Sequence, residues 1–198
     1  FYGYASFLSV VFTYGMETAF FRYAQHSDEK EKVFSTAWWS LIISSLSLAL
    51  LFMLFTYPLA EITKNQQHPE YIVYFLFIIA ADAITSIPFA WLRLQNKALR
   101  FATLKSVGIG INIVLNIFFL TGLPWLDRMG IGWAGSMRGA ASGVTYIFLA
   151  NIASSVLLLP FFLREITFLK AGFDKTLWKQ MLRYGWPLLV LGLAGMVN

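Results

Sequence analysis

The chain has 198 residues, 58% of them hydrophobic and 13% charged, with a net charge of +5 and no cysteine. Soluble domains are about 45–50% apolar and about 25% charged. This balance therefore excludes an ordinary soluble globule, and the lack of thiols excludes disulfide and cysteine chemistry.

Three runs without Asp, Glu, Lys or Arg, residues 33–60, 106–126 and 139–163, are long enough to cross a hydrocarbon core, which takes about 20 residues as a helix. They lack the alternation of barrel strands. The fold class is all-α, a polytopic transmembrane helical bundle. Five complete spans are predicted, near 3–23, 35–57, 71–92, 104–124 and 143–163, with the start of a sixth near 181. No cleavable signal segment is visible.

The first span contains TYGMETAFFRYA (13–24), which sets Glu17 and Arg22 in an apolar context. On a helix Glu17 lies about 7–8 Å deeper than Arg22, which can snorkel to the headgroups. Ser6, Ser9, Thr13 and Glu17 form one polar stripe, and such a stripe must face protein or a water-filled cavity. The second span carries Thr36, Ser40, Ser44 and Ser47, read as helix packing.

The third span places Asp82 about 16 Å from each end, near the midplane, with Thr85 and Ser86 on its face. Pro88 removes a backbone donor, so a kink just beyond the acid is expected. An acid beside a broken helix at the midplane suits a transporter site. The fourth span carries Gly108, Asn112 and Asn116 on one face, and the fifth carries Asn151 with Ser154 and Ser155. Packing and substrate contact are both open for these amides. Between these two spans, PWLDRMGIGWAGSMRGAASG (124–143) reads as a Gly-rich outer loop with Trp125 and Trp133 as headgroup anchors. No Gly-Lys-Ser/Thr follows it to make a phosphate loop.

Twelve of the fifteen Lys and Arg fall in the first, third and fifth loops: Arg22, Lys30 and Lys32; Arg93, Lys97, Arg100 and Lys105; Arg164, Lys170, Lys175, Lys179 and Arg183. Lys64, Arg128 and Arg138 fall in the other two. By the positive-inside rule the first set is cytoplasmic. The basic excess is thus a topology signal rather than a nucleic-acid footprint. Phe1 then starts on the outer side, and one further helix is expected before it. His26 and His68 lie in loops, and no HExxH, Walker or Ser-His-Asp pattern occurs. No enzymatic constellation, cofactor or metal site is expected.

Four stretches carry a family likeness: YGMETAFFRYA (14–24), HPEYI (68–72), DAITSIPFAWLRLQNKALRFATLKSVGIGINIVLNIFFL (82–120) and RYGWPLLVLGLAGMVN (183–198). Together they resemble the polysaccharide and lipid-linked oligosaccharide flippases of the O-antigen type. Those belong to the superfamily that includes the multidrug extruders and the lipid II flippases. The PFAxLRxxNKxLRFA segment followed by an NxxxN span is the most specific part.

The resemblance implies two helical lobes around a central cavity. Residues 1–180 would be spans two to six of the N-terminal lobe, and 181–198 the start of the first helix of the C-terminal lobe. The chain would then be a fragment of a monomeric, multi-pass protein of the bacterial inner membrane. It would move an undecaprenyl-pyrophosphate-linked oligosaccharide by alternating access, coupled to H+ or Na+. Glu17, Asp82, Asn112, Asn116 and Asn151 would be substrate or ion-coupling residues. Arg22, Arg93, Lys97 and Arg100, with Lys105, would meet the headgroup at the cytoplasmic mouth. One departure is the lack of Lys or Arg at mid-span, since the family often lines its cavity with basic residues. The alternatives are a cation-coupled drug exporter of the same superfamily and a membrane-embedded polymerase or acyltransferase. For the enzymes the fourth loop offers Arg128 and Arg138 but no His.

Overall fold

A computed structural model describes residues 2–63, 66–140 and 142–197. Phe1, Lys64 and Asn198, used above for topology and likeness, lie outside the described residues. The described residues form helices joined by short turns, with no strand among them. The helices are α1 (Tyr2–Thr13), α2 (Met16–Gln25), α3 (Lys30–Leu54), α4 (Thr56–Ile62), α5 (Glu70–Leu94), α6 (Ala98–Ile117), α7 (Leu123–Arg128), α8 (Gly132–Ala140), α9 (Gly143–Leu158), α10 (Leu163–Ile166) and α11 (Lys175–Val197). A π turn, Phe118–Gly122, joins α6 to α7.

Four continuous helical segments are long and apolar enough to cross a membrane: Lys30–Leu54, Glu70–Leu94, Ala98–Arg128 and Gly143–Ala171. Large apolar side chains such as Leu50, Leu54, Ile109, Val114 and Ile117 stand exposed on them. In water such a surface would drive association, and in lipid it is the solvated face.

The expected first span is not one helix. It breaks at Tyr14 (φ 35°) and Gly15 (φ 71°), leaving a 12-residue α1 and a 10-residue α2. The break lets α11 approach. A Cβ on Gly15 would meet the Gly185 carbonyl oxygen at 2.7 Å, and one on Gly185 would meet the Tyr14 oxygen at 2.9 Å. Backbone touches backbone here because neither residue has a side chain. The polar stripe is correspondingly interrupted after Thr13, whose hydroxyl donates to the Ser9 carbonyl at 2.8 Å. The last helix begins at Lys175, earlier than the expected 181, and its basic first turns extend the apolar part.

α5 runs unbroken from Glu70 to Leu94 through Pro88, the position where a kink is expected. Proline at this position deprives the Ile84 carbonyl, four residues earlier, of its helical donor. The Trp38 indole N–H on α3 donates to that carbonyl at 2.9 Å. The segment 124–143 also differs from the expected irregular loop. It folds into α7 and α8, with Gly130 (φ 80°) at the turn between them. Burial of Leu123, Ala134 and Tyr146 outweighs the glycine content. Trp125 and Trp133 are exposed, as interface anchors require.

The alternation of loops agrees with the charge reading. Lys32 pairs with Asp174 at 3.4 Å, Ser35 donates to the Leu169 carbonyl at 3.2 Å, and Phe34 packs on both Trp91 and Phe168. The first, third and fifth loops therefore meet at one end. At the other end the Tyr71 hydroxyl bonds Ser142 at 2.7 Å. The Ser stripe of α3 packs helices together. Ser40 bonds the Tyr14 hydroxyl and accepts from the Trp178 indole, both at 2.7 Å, and Thr36 accepts from the Asp174 amide at 3.2 Å.

Candidate functional site

Two cavities open beside α5 and share two residues, Asp82 and Lys105. The first, about 400 Å³, is lined by Glu17 of α2, Asp82, Thr85, Ser86, Phe89 and Arg93 of α5, and Phe101 and Lys105 of α6. The second, about 300 Å³, adds Gly108 and Asn112 of α6 and Asn151, Ser154 and Ser155 of α9. They adjoin at these two residues to form a groove, charged at one end and lined at the other by amides and hydroxyls together with Ile109 and Leu158.

The helical repeat explains this grouping. Asp82 and Arg93 are eleven residues apart, close to three full turns, so they share a face of α5. Thr85 and Ser86 turn their hydroxyls back to the carbonyls of Ala81 and Ala83, at 3.0 and 2.7 Å, which leaves the Asp82 carboxylate as the polar group this stretch of α5 presents to the groove. On α6, Phe101, Lys105, Gly108 and Asn112 follow at intervals of four, three and four. Gly108 lets α9 close in, since a Cβ there would meet Leu158 at 2.7 Å.

The charged end is tightly arranged. Arg93 donates to a Glu17 carboxylate oxygen in an ion pair joining α2 and α5. Its guanidinium lies 5.2 Å from the Phe21 ring and 5.5 Å from Phe101. Lys105 stands 4.2 Å over the Phe89 ring. Both cations thus rest on aromatic faces, a favourable placement. Two acids and two cations leave the groove with no net charge.

The predicted residues divide. Glu17, Asp82, Arg93, Asn112 and Asn151 line the groove. Asn116 supports it, donating to the Asn112 side chain at 3.0 Å, while Asn112 reaches Ser154 at 3.4 Å. Asn151 donates to the Ile147 carbonyl at 2.8 Å. The other basic residues are not brought to the groove. Arg22 lies 4.3 Å over the Tyr184 ring of α11. Lys97 donates to Gln95 at 2.5 Å. Arg100 pairs with the buried Glu165 at 2.9 Å and donates to the Phe161 carbonyl at 2.9 Å, tying α6 to the chain after α9.

Lys105, which charge counting sorts into the third loop, lies within α6 and lines the groove. Its spacing from Gly108 and Asn112 is the signal that could have found it. It also supplies the basic lining that mid-span positions lack in the sequence. Among the described residues no group of three or more His, Asp or Glu could hold a metal ion.

The groove suits a ligand with an anionic part and a hydroxyl-rich part. Arg and Lys meet phosphate oxygens, and amides and hydroxyls match sugar hydroxyls. No curated protein and no solved structure matches the chain. A family model described as polysaccharide biosynthesis protein matches residues 2–198, and the chain, a multi-pass membrane protein by its apolar helices, belongs to that family, which includes the O-antigen flippases.

Proposed function

We propose that the chain forms part of a flippase that carries an undecaprenyl-pyrophosphate-linked oligosaccharide across the bacterial inner membrane. Translocation of this kind breaks no covalent bond, so the protein acts as a transporter rather than an enzyme. The substrate enters from the cytoplasmic leaflet, its diphosphate meets Arg93 and Lys105, and its sugars lie along Asn112, Asn151 and Ser154. The protein then opens outward by alternating access. Glu17 and Asp82 are the acids available to couple the cycle to a proton or sodium gradient.

One observation carries this reading: a groove among apolar helices that joins two cations at one end to amides and hydroxyls at the other. A drug exporter that gathers cationic substrates would have no use for Arg93 and Lys105 beside its acids.

The test is deletion of the parent gene followed by mass spectrometry of the lipid fraction. Build-up of undecaprenyl-pyrophosphate oligosaccharides, reversed by the wild-type gene and not by Asp82→Asn, is the expected result. An unchanged lipid pool with new drug sensitivity would reject this cargo and favour drug export.

A further inference from the structure

The Glu17–Arg93 ion pair occupies the place where the proposed function needs a free cation. Arg93 presents a planar fork of N–H donors, which fits a carboxylate or a phosphate equally well. In the structure a carboxylate already holds it. We infer that Glu17 is an internal occupant of the anion site: it holds Arg93 while the groove is empty, and a diphosphate displaces it. The inference rests on the flippase reading and specifies how its charged end is regulated.

Three observations support the exchange. First, the pair is accessible. The Arg93 and Glu17 side chains are 42% and 36% exposed and both line the cavity, so an incoming anion can reach the guanidinium without unfolding anything. Second, the charges demand it. The formal charges of the groove cancel, and while Glu17 holds Arg93 a diphosphate entering beside it would have Lys105, itself close enough to Asp82 to interact with it, as the cation left to meet. Moving Glu17 aside provides two.

Third, the displaced carboxylate has somewhere to go. Glu17 lies in the first turn of α2, directly after the break at Tyr14 and Gly15. The amide groups that begin a helix favour a negative charge in that turn. Glu17 therefore keeps a favourable partner when Arg93 leaves it. The core face of α2, Met16, Ala19, Phe20 and Ala24, stays buried, so the exchange needs only the Glu17 side chain to swing aside. Glu17 then competes to release the headgroup afterwards.

The test uses the full-length parent protein in detergent, with farnesyl diphosphate as the probe and isothermal titration as the readout. An exposed ion pair is weak, so removing the internal competitor is expected to tighten binding by about 3- to 5-fold in Glu17→Gln. Glu17→Asp, with its shorter reach, is expected to fall between that variant and the wild type. Arg93→Ala weakens binding, and Glu17→Gln added to it gives no further change. Inorganic pyrophosphate, run in parallel, must rank the variants in the same order.

Glu17→Gln binding no tighter than the wild type, with Arg93→Ala still weakened, would overturn the displacement and leave the flippase reading standing. Binding indifferent to Arg93→Ala, or absent from the wild type, would remove the anion site itself, and the flippase reading with it.

Discussion

Trp38 completes the hydrogen bonding that Pro88 leaves open. The proline sits in α5 with no N–H to offer the Ile84 carbonyl, and the Trp38 indole on α3 donates to that oxygen at 2.9 Å. The bond joins the two helices just beyond Asp82, so it also fixes the wall that carries the acid. A buried carbonyl stripped of its partner costs about 1–3 kcal/mol. Trp38→Phe keeps most of the aromatic packing on Phe34 and removes the donor. The expected outcome is a lower midpoint of thermal unfolding in detergent. Pro88→Ala returns a helical donor to Ile84, so Trp38→Phe should cost less in that background. Equal cost in both backgrounds would refute the link between the two residues.

The crossing of Gly15 and Gly185 yields a second prediction. Each would place a Cβ within 3 Å of a backbone oxygen on the other segment, and backbone cannot swing aside as a side chain can. Overpacking of this kind costs about 1–3 kcal/mol. Gly15 adds the strain of a left-handed φ of 71°, which costs an L-residue about 1 kcal/mol. Gly15→Ala should therefore destabilise more than Gly185→Ala, with both read from thermal unfolding. Equal and negligible effects would mean that α11 is not seated against the break.

These two relationships show what was legible in the chain and what was not. The spans were legible because charge-free runs of that length have no other stable home, and Asp82 and Arg93 could be placed on one face by counting turns. The break at Tyr14 and Gly15 was not, since hydropathy reports burial and says nothing about φ. Lys105 was assigned to a loop because counting basic residues sorts them by loop and ignores the helix face they share. The Glu17–Arg93 and Arg100–Glu165 pairs join residues 76 and 65 positions apart, and no local pattern encodes such partners. The helices α7 and α8 were hidden because glycine suggests a turn, while burial of Leu123 and Tyr146 decides otherwise.

The acid dependence of stability should expose Asp174. The Leu177 amide at the start of α11 does most to hold its carboxyl below the ordinary aspartate range; burial opposes this, and Lys32 and the Thr176 amide add to the lowering. The unfolded chain then binds a proton more readily than the folded one. The stabilisation is complete above the ordinary aspartate value and is lost as pH falls through the lowered folded value. Asp174→Asn keeps the side-chain shape but loses the charge. Its unfolding midpoint is expected to lie below the wild type's at neutral pH and to converge with it in acid. A constant gap across that range would show that protonation of Asp174 is not involved.

Arg100 of α6 and Arg93 of α5 should separate by function. Arg100 and Glu165 form a pair in which Glu165 is 2% exposed and Arg100 33%. Removing Arg100 alone strands a buried carboxylate, which costs about 3–5 kcal/mol. Replacing both, as Arg100→Met with Glu165→Leu, removes the stranded charge and is expected to restore stability and protein level. Arg93 and Lys105 face the open groove, so Arg93→Ala and Lys105→Ala should leave the free energy of unfolding within about 1 kcal/mol of the wild type. On the proposed function, the double variant at 100 and 165 restores surface polysaccharide to a deletion strain. The variants at 93 and 105 do not restore it, although the protein is present in the membrane. Loss of polysaccharide in the stable double variant would make Arg100 a headgroup ligand after all. Normal polysaccharide in both Arg93→Ala and Lys105→Ala would show that the groove between α5 and α6 is not where the substrate is held.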